Sequence, residues 1–150
     1  MEFLAIGGDC MDFILNRDDF SIMFYDIGFY EKDINMEAPI SGTIRVSIKS
    51  DKYAAKSYLD LYHKDFINFL SDIVNLWKSL KTGNAIIKEP YGYEQYVEFI
   101  SKNGKFTIKG KLVDQDFRNF KIEFEEVVDQ SYMNDFIKAI SKFDLENYLK

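Results

Sequence analysis

Residues 65–80 read DFINFLSDIVNLWKSL, the longest segment of the chain with a clear helical period. Phe66, Phe69, Leu70, Ile73, Trp77 and Leu80 recur at steps of three and four, so they project from one side of a helix. Ile67, Val74 and Leu76 widen that stripe beyond what a solvent-facing helix needs, which predicts burial against a sheet. Asp72, Asn75, Lys78 and Ser79 are left for the wet side. The expected helix starts near His63, where Asp65 suits the positive end of the helix dipole. It ends at Lys81-Thr82-Gly83, with Gly83 expected to take the left-handed position.

Strand-like segments lie on both sides. From Thr43 to Lys49, Ile44, Val46 and Ile48 face one way and Arg45, Ser47 and Lys49 the other, the pattern of a half-buried strand. Met11–Leu15 and Ser21–Tyr25 are apolar runs flanking Asn16-Arg17-Asp18-Asp19, an expected hairpin, and Gly28–Pro39 reads as a connection. Residues 53–62 fit either a strand or a backward extension of the helix, and the alternation of Tyr58, Asp60 and Tyr62 with Leu59 and Leu61 favours the strand.

Asn103-Gly104 between alternating runs signals a two-residue type I′ turn. That turn sets Lys102 opposite Lys105, Phe99 opposite Ile108 and Glu98 opposite Lys109. The last two pairs match apolar with apolar and acid with base, which supports the register independently. Phe120, Ile122 and Phe124 continue a three-stranded meander from about Tyr93 to Glu126, with Val113–Asn119 as its second loop. Met133, Phe136, Ile137, Ile140 and Phe143 then recur at helical spacing after Ser131. No internal repeat and no Pro-, Gly- or Ser-rich linker stands out. The expected fold is α+β over one domain, residues 1–150: a mostly antiparallel sheet with two helices, about 63–81 and 131–147, packed on one face.

A 150-residue chain can bury roughly 68–70% of its unfolded surface, and the 47% apolar and 17% aromatic content supplies a core. One cysteine, Cys10, leaves no internal disulfide and fits a reducing compartment. MEFLAIGGDC lacks the basic region and the apolar run of a signal peptide, and no stretch reaches the ~20 apolar residues of a membrane span. A soluble, cytoplasmic protein is expected.

Residue types that could carry chemistry do not converge. Cys10 and His63 are the one thiol–imidazole pair available, and their contexts do not suggest contact. Single copies of each cannot build a four-ligand zinc site. Gly7-Gly8-Asp9 lacks the Gly-Lys-Ser/Thr of a phosphate loop, and Asp114-Gln115-Asp116 lacks the glycine and distal glutamate of a calcium loop. Glu123 and Glu125 belong to the polar face of a strand, and Trp77 reads as core rather than as a cofactor stack. A surface or boundary position is expected for His63. Catalytic residues, metal and cofactor are all expected to be absent.

Charge is uneven. Residues 1–41 carry nine acids against two bases, a balance of −7, and the remainder is close to neutral within a total of −6. An acidic face repels phosphate backbones and attracts basic partners, so a protein partner is expected and direct nucleic-acid binding is not. Asp18, Asp19, Asp26, Glu31 and Asp33 are the candidate partner-binding residues, because they lie near turns and aromatic side chains.

The strand Thr43–Lys49, the helix DFINFLSDIVNLWKSL, Gly83-Asn84-Ala85, the meander YVEFISKNGKFTIKGKLVD and FKIEFEE, and Asp129-Gln130-Ser131 before YMNDFIKAI together resemble the WapI-type bacterial immunity proteins tied to contact-dependent toxins. The resemblance covers about residues 43–145, with Leu80 standing where many such proteins carry a second tryptophan. It implies a cytoplasmic, non-catalytic protein that binds and neutralises a cognate toxin domain, often a nuclease. A basic nuclease surface would suit the acidic N-terminal quarter. The alternative expectation is an accessory protein–protein interaction module that shares the fold and has another partner.

Overall fold

A computed structural model of the chain describes residues 12–92, 94–114 and 121–150. The expectations for Cys10, Gly7-Gly8-Asp9, Gln115, Asp116, Phe120 and the tip of the second meander loop lie outside the described residues.

Among the described residues, eight strands form two four-stranded antiparallel sheets. The first holds β1 (Phe13–Arg17), β2 (Phe20–Phe29), β3 (Gly42–Ser50) and β4 (Ala54–Leu61), paired in chain order. A short helix, α1 (Glu31–Asn35), fills the β2–β3 connection, and α2 (His63–Ser79) follows β4. The second sheet holds β5 (Gly83–Lys88), β6 (Tyr96–Lys102), β7 (Lys105–Val113) and β8 (Lys121–Asp129), again in chain order. A 3₁₀ turn (Gln130–Met133) leads into α3 (Asn134–Ser141), and another (Leu145–Tyr148) precedes the end. The α+β class, the antiparallel pairing and the two packed helices are as the sequence predicts.

The division into two sheets is what the residue pattern hides. Four strands and a helix occur twice, and the helix entries share a pattern: YHKDFINFLS at 62–71 and YMNDFIKAIS at 132–141 are identical at five of ten positions. The reading of a chain without repeats is corrected at this level. Both helices touch both sheets. Phe69 of α2 contacts Phe24 of β2 and Phe99 of β6, with centroids 6.0 and 5.8 Å away. Phe136 of α3 contacts the same two rings at 6.3 and 5.7 Å. Buried residues from both sheets and both helices form one hydrophobic cluster.

Several details differ from expectation for identifiable reasons. The strand reading of 53–62 holds as Ala54–Leu61. Leu80, not Gly83, takes the left-handed position after α2, at φ 58°, because Gly83 opens β5 and backs onto the Leu76 side chain. The second helix is shorter than 131–147, its ends wound as 3₁₀ turns. Asp129 accepts a hydrogen bond from the Ser131 N–H at 3.0 Å, so the turn is capped before α3 begins. Gly42 is required sterically, since a Cβ there would stand 2.2 Å from the Phe29 ring and 2.5 Å from the Gly28 carbonyl oxygen.

The sheets are tied at two places. Arg17 of β1 donates to the Val127 carbonyl and, at 2.5 Å, to the Glu126 carboxylate of β8. At the other side the Gln95 amide donates to the Tyr58 carbonyl (2.8 Å) and to Glu89 (3.1 Å), while Asp60 N–H donates to Glu89 (3.2 Å). The Val113 N–H and the Ser57 hydroxyl both reach Gln95 Oε1, at 2.8 and 2.6 Å. Gln95 and Glu89 thus pair with the outer edge of β4, which would otherwise present unpaired backbone groups.

Candidate functional site

The site grows from an irregularity in β2. Tyr25 pairs with Arg45 and Gly28 with Thr43, so Asp26 and Ile27 together oppose the single residue Ile44. This is a β-bulge, which bends a strand and re-aims a side chain. Ile27 turns into the core and Asp26 turns out, at φ 47°, a left-handed conformation that disfavours most side chains and is tolerated by Asp.

The bulge forms one wall of a cleft of about 490 Å³. Asp12, Asp26, Tyr30, Thr43, Arg45 and Lys150 supply its polar lining, with Ile27, Gly28 and Tyr148 behind them. The last residues of the chain hold the far wall. Lys150 N–H donates to the Phe29 carbonyl at 2.7 Å, and Glu31 N–H donates to the Lys150 carbonyl at 3.3 Å. Gly28 leaves room for the Lys150 stem, whose Cε would stand 2.5 Å from an added Cβ. Tyr148 is buried and stacks on Phe143 at 4.9 Å, which fixes the floor.

Electrostatically the cleft is wet and mixed. The Arg45 guanidinium stands 3.5 Å from Asp26 and 5.8 Å over the Tyr58 ring. Partial burial raises the Asp12 carboxyl above its ordinary value, and the nearby Asp26 carboxylate raises it further. Two carboxylates, Asp12 and Asp26, thus face the cleft beside the exposed Tyr30. Among the described residues, no group of three or more His, Cys, Asp or Glu stands together to hold a metal.

The five acids predicted from sequence do not form one patch. Asp26 stands at the cleft mouth, while Glu31 and Asp33 lie on α1, directly after the cleft residue Tyr30, and do not line the cleft. Asp18 and Asp19 occupy the β1–β2 turn at the other end of β2, eight and seven residues from Asp26 and roughly 25 Å away at about 3.3 Å per residue. Asp19 is already paired with Arg17 at 2.9 Å. Asp12, Tyr30, Arg45 and Lys150 were missed. Only the outward position of Arg45 was readable locally, because the others meet through the bulge and the chain end.

His63 is a correction. It is buried, not a surface residue, and starts α2 against Ser41. The Ser41 hydroxyl accepts from His63 N–H at 2.8 Å and is hydrogen-bonded to the ring's Nδ1 at 2.9 Å. Burial lowers the imidazole below its ordinary value, and Lys64 adds to the effect. Ser41 and His63 thus tie the start of α2 to the residue that precedes β3.

No protein-family model and no curated protein matches the chain. Among solved structures it is similar to a protein with unknown function from the DUF155 family of Prochlorococcus sp. NATL2A, at 9% identity and a TM-score of 0.35, over 87% of this chain and 97% of that one. No described helix is long and apolar enough to cross a membrane.

Proposed function

We propose that the chain is a non-catalytic, cytoplasmic immunity protein that binds a cognate toxin domain through the bulge cleft and blocks it. The observation that carries this reading is Asp26, held at positive φ on a bulge at the mouth of a 490 Å³ cleft. Strained residues and bulges concentrate where a side chain is aimed at a partner. A lysine or arginine of the toxin enters between Asp12 and Asp26, and Glu31 and Asp33 steer its approach. Arg45 and Lys150 accept an acidic neighbour of that residue, which gives the contact a fixed orientation. The likeness of residues 43–145 to WapI-type immunity proteins supports the same reading.

Co-expression tests it. Cells producing the toxin encoded beside this gene should grow when the chain is present. Growth should fail with Asp26→Arg, which reverses the charge at the cleft while leaving the core untouched. Equal protection by Asp26→Arg would move the interface elsewhere, and no protection by either form would remove the immunity reading.

A further inference from the structure

The outer edge of β5 and the wet face of α2 border an open groove of about 630 Å³, lined by Asp72, Asn75, Leu76, Lys78 and Ser79 on the helix, by Lys81 and Thr82 in the turn and by Asn84 on the strand. The edge of β4 is masked by Gln95 and Glu89, and β8 is tied to β1 through Arg17. Among the described residues, no hydrogen bond reaches the outer edge of β5. An unpaired edge is a template for another strand. Apolar side chains flank it, with Ile86 44% exposed on the strand and Leu80 43% exposed at the helix end.

We propose that this groove is the interface of a homodimer, in which β5 pairs antiparallel with β5 of a second copy and the two α2 helices lie side by side. A two-fold interface must be self-complementary, and the charges along α2 meet that requirement. Asp72, Asn75 and Lys78 follow at three-residue steps, all exposed. An axis passing beside Asn75 sets Asp72 of one copy against Lys78 of the other, and the reverse pair forms by symmetry. On the strand the same axis falls near the uncharged Asn84. The residues lining the groove and those lining the bulge cleft share no member, and the dimer leaves both clefts open.

Sedimentation equilibrium of the full chain between about 1 and about 300 µM covers the range expected of an interface of modest size. A monomer–dimer equilibrium should appear. Asp72→Lys and Lys78→Asp, each placing like charges together twice, should weaken association about tenfold or more. The double variant D72K/K78D should restore it to near the original strength. Both positions are exposed, so thermal melting should show each single variant folded. A monomer at every concentration would overturn the proposal and leave the groove to a strand from another protein. A dimer indifferent to both reversals would overturn it as well, by placing the contact on another surface.

Discussion

Phe99 of β6 and Phe136 of α3 lie parallel and offset, their centroids 5.7 Å apart and their planes within 4°. The stack closes a ring of four: Phe136 reaches Phe24, Phe24 reaches Phe69, and Phe69 returns to Phe99. Each sheet and each long helix donates one member. The two sheets are therefore joined through the helices, and the cleft's scaffold depends on this shared centre.

Phe136→Ala should cost about 3–5 kcal/mol, because the ring is 1% exposed and its loss opens a cavity among three others. Urea unfolding, with an unchanged slope, measures it. Trp77→Ala should cost less, since Trp77 is half-buried at the rim and donates to the Gln130 carbonyl at 3.4 Å. Equal losses at both positions would show that the ring is not the centre.

Glu89 should give stability a pH dependence of unusual sign. Burial raises its carboxyl above the ordinary 4.5, against hydrogen bonds from Gln95 and Asp60 that act the other way. A raised folded-state value favours the protonated form in the fold. Its contribution is full below 4.5 and is lost as pH rises through the folded value. Glu89→Gln should remove that decline, read as unfolding midpoints at stepped pH, while one amide oxygen keeps an acceptor in place.

His63 acts in the opposite direction. Its folded value lies below the ordinary 6.5, so its contribution is full above 6.5 and is lost as pH falls from there toward the folded value. His63→Asn should flatten the acid side of the stability profile. Ser41→Ala should cost about 1–3 kcal/mol by stripping both hydrogen bonds from a buried pair. The two groups bend the profile in opposite senses, so the single variants read each slope separately.

Asp26→Gly and Asp26→Asn both tolerate a positive φ, so each should leave stability within about 0.5 kcal/mol. Asp26→Val should destabilise by about 1–2 kcal/mol, since a β-branched residue resists the left-handed region. All three should weaken partner binding, because all three remove the carboxylate. Binding that tracked stability instead would make the bulge a structural device.

Local rules carried the strands and the centre of α2. The Asn103-Gly104 register appears as read, with Phe99 opposite Ile108 and Glu98 opposite Lys109, because a two-residue turn determines every pair beyond it. Glu123 and Glu125 face Lys111 and Lys109 as their polar phase implies. Long-range arrangement was not local. The short strand GNAIIK has one apolar pair facing inward, too little alternation to stand out, so β5 and the second sheet's full extent were missed. The cleft needed Asp12, Asp26, Arg45 and Lys150 brought together from four places, and their spacing in sequence carries no trace of it. Composition marked the first quarter of the chain as acidic, but could not say that Asp18 and Asp19 lie at the far end of β2 from Asp26.

The central claim is tested most directly by association kinetics between this chain and the toxin domain encoded beside its gene, at about 50 and about 500 mM salt, where screening differs severalfold. Tight binding is predicted, with an on-rate that falls steeply with salt. The on-rate should slow when Asp26, Glu31 and Asp33 are neutralised, and slow far less when only Asp18 and Asp19 are. No association at either salt, or an on-rate indifferent to salt and to all five acids, would contradict the account.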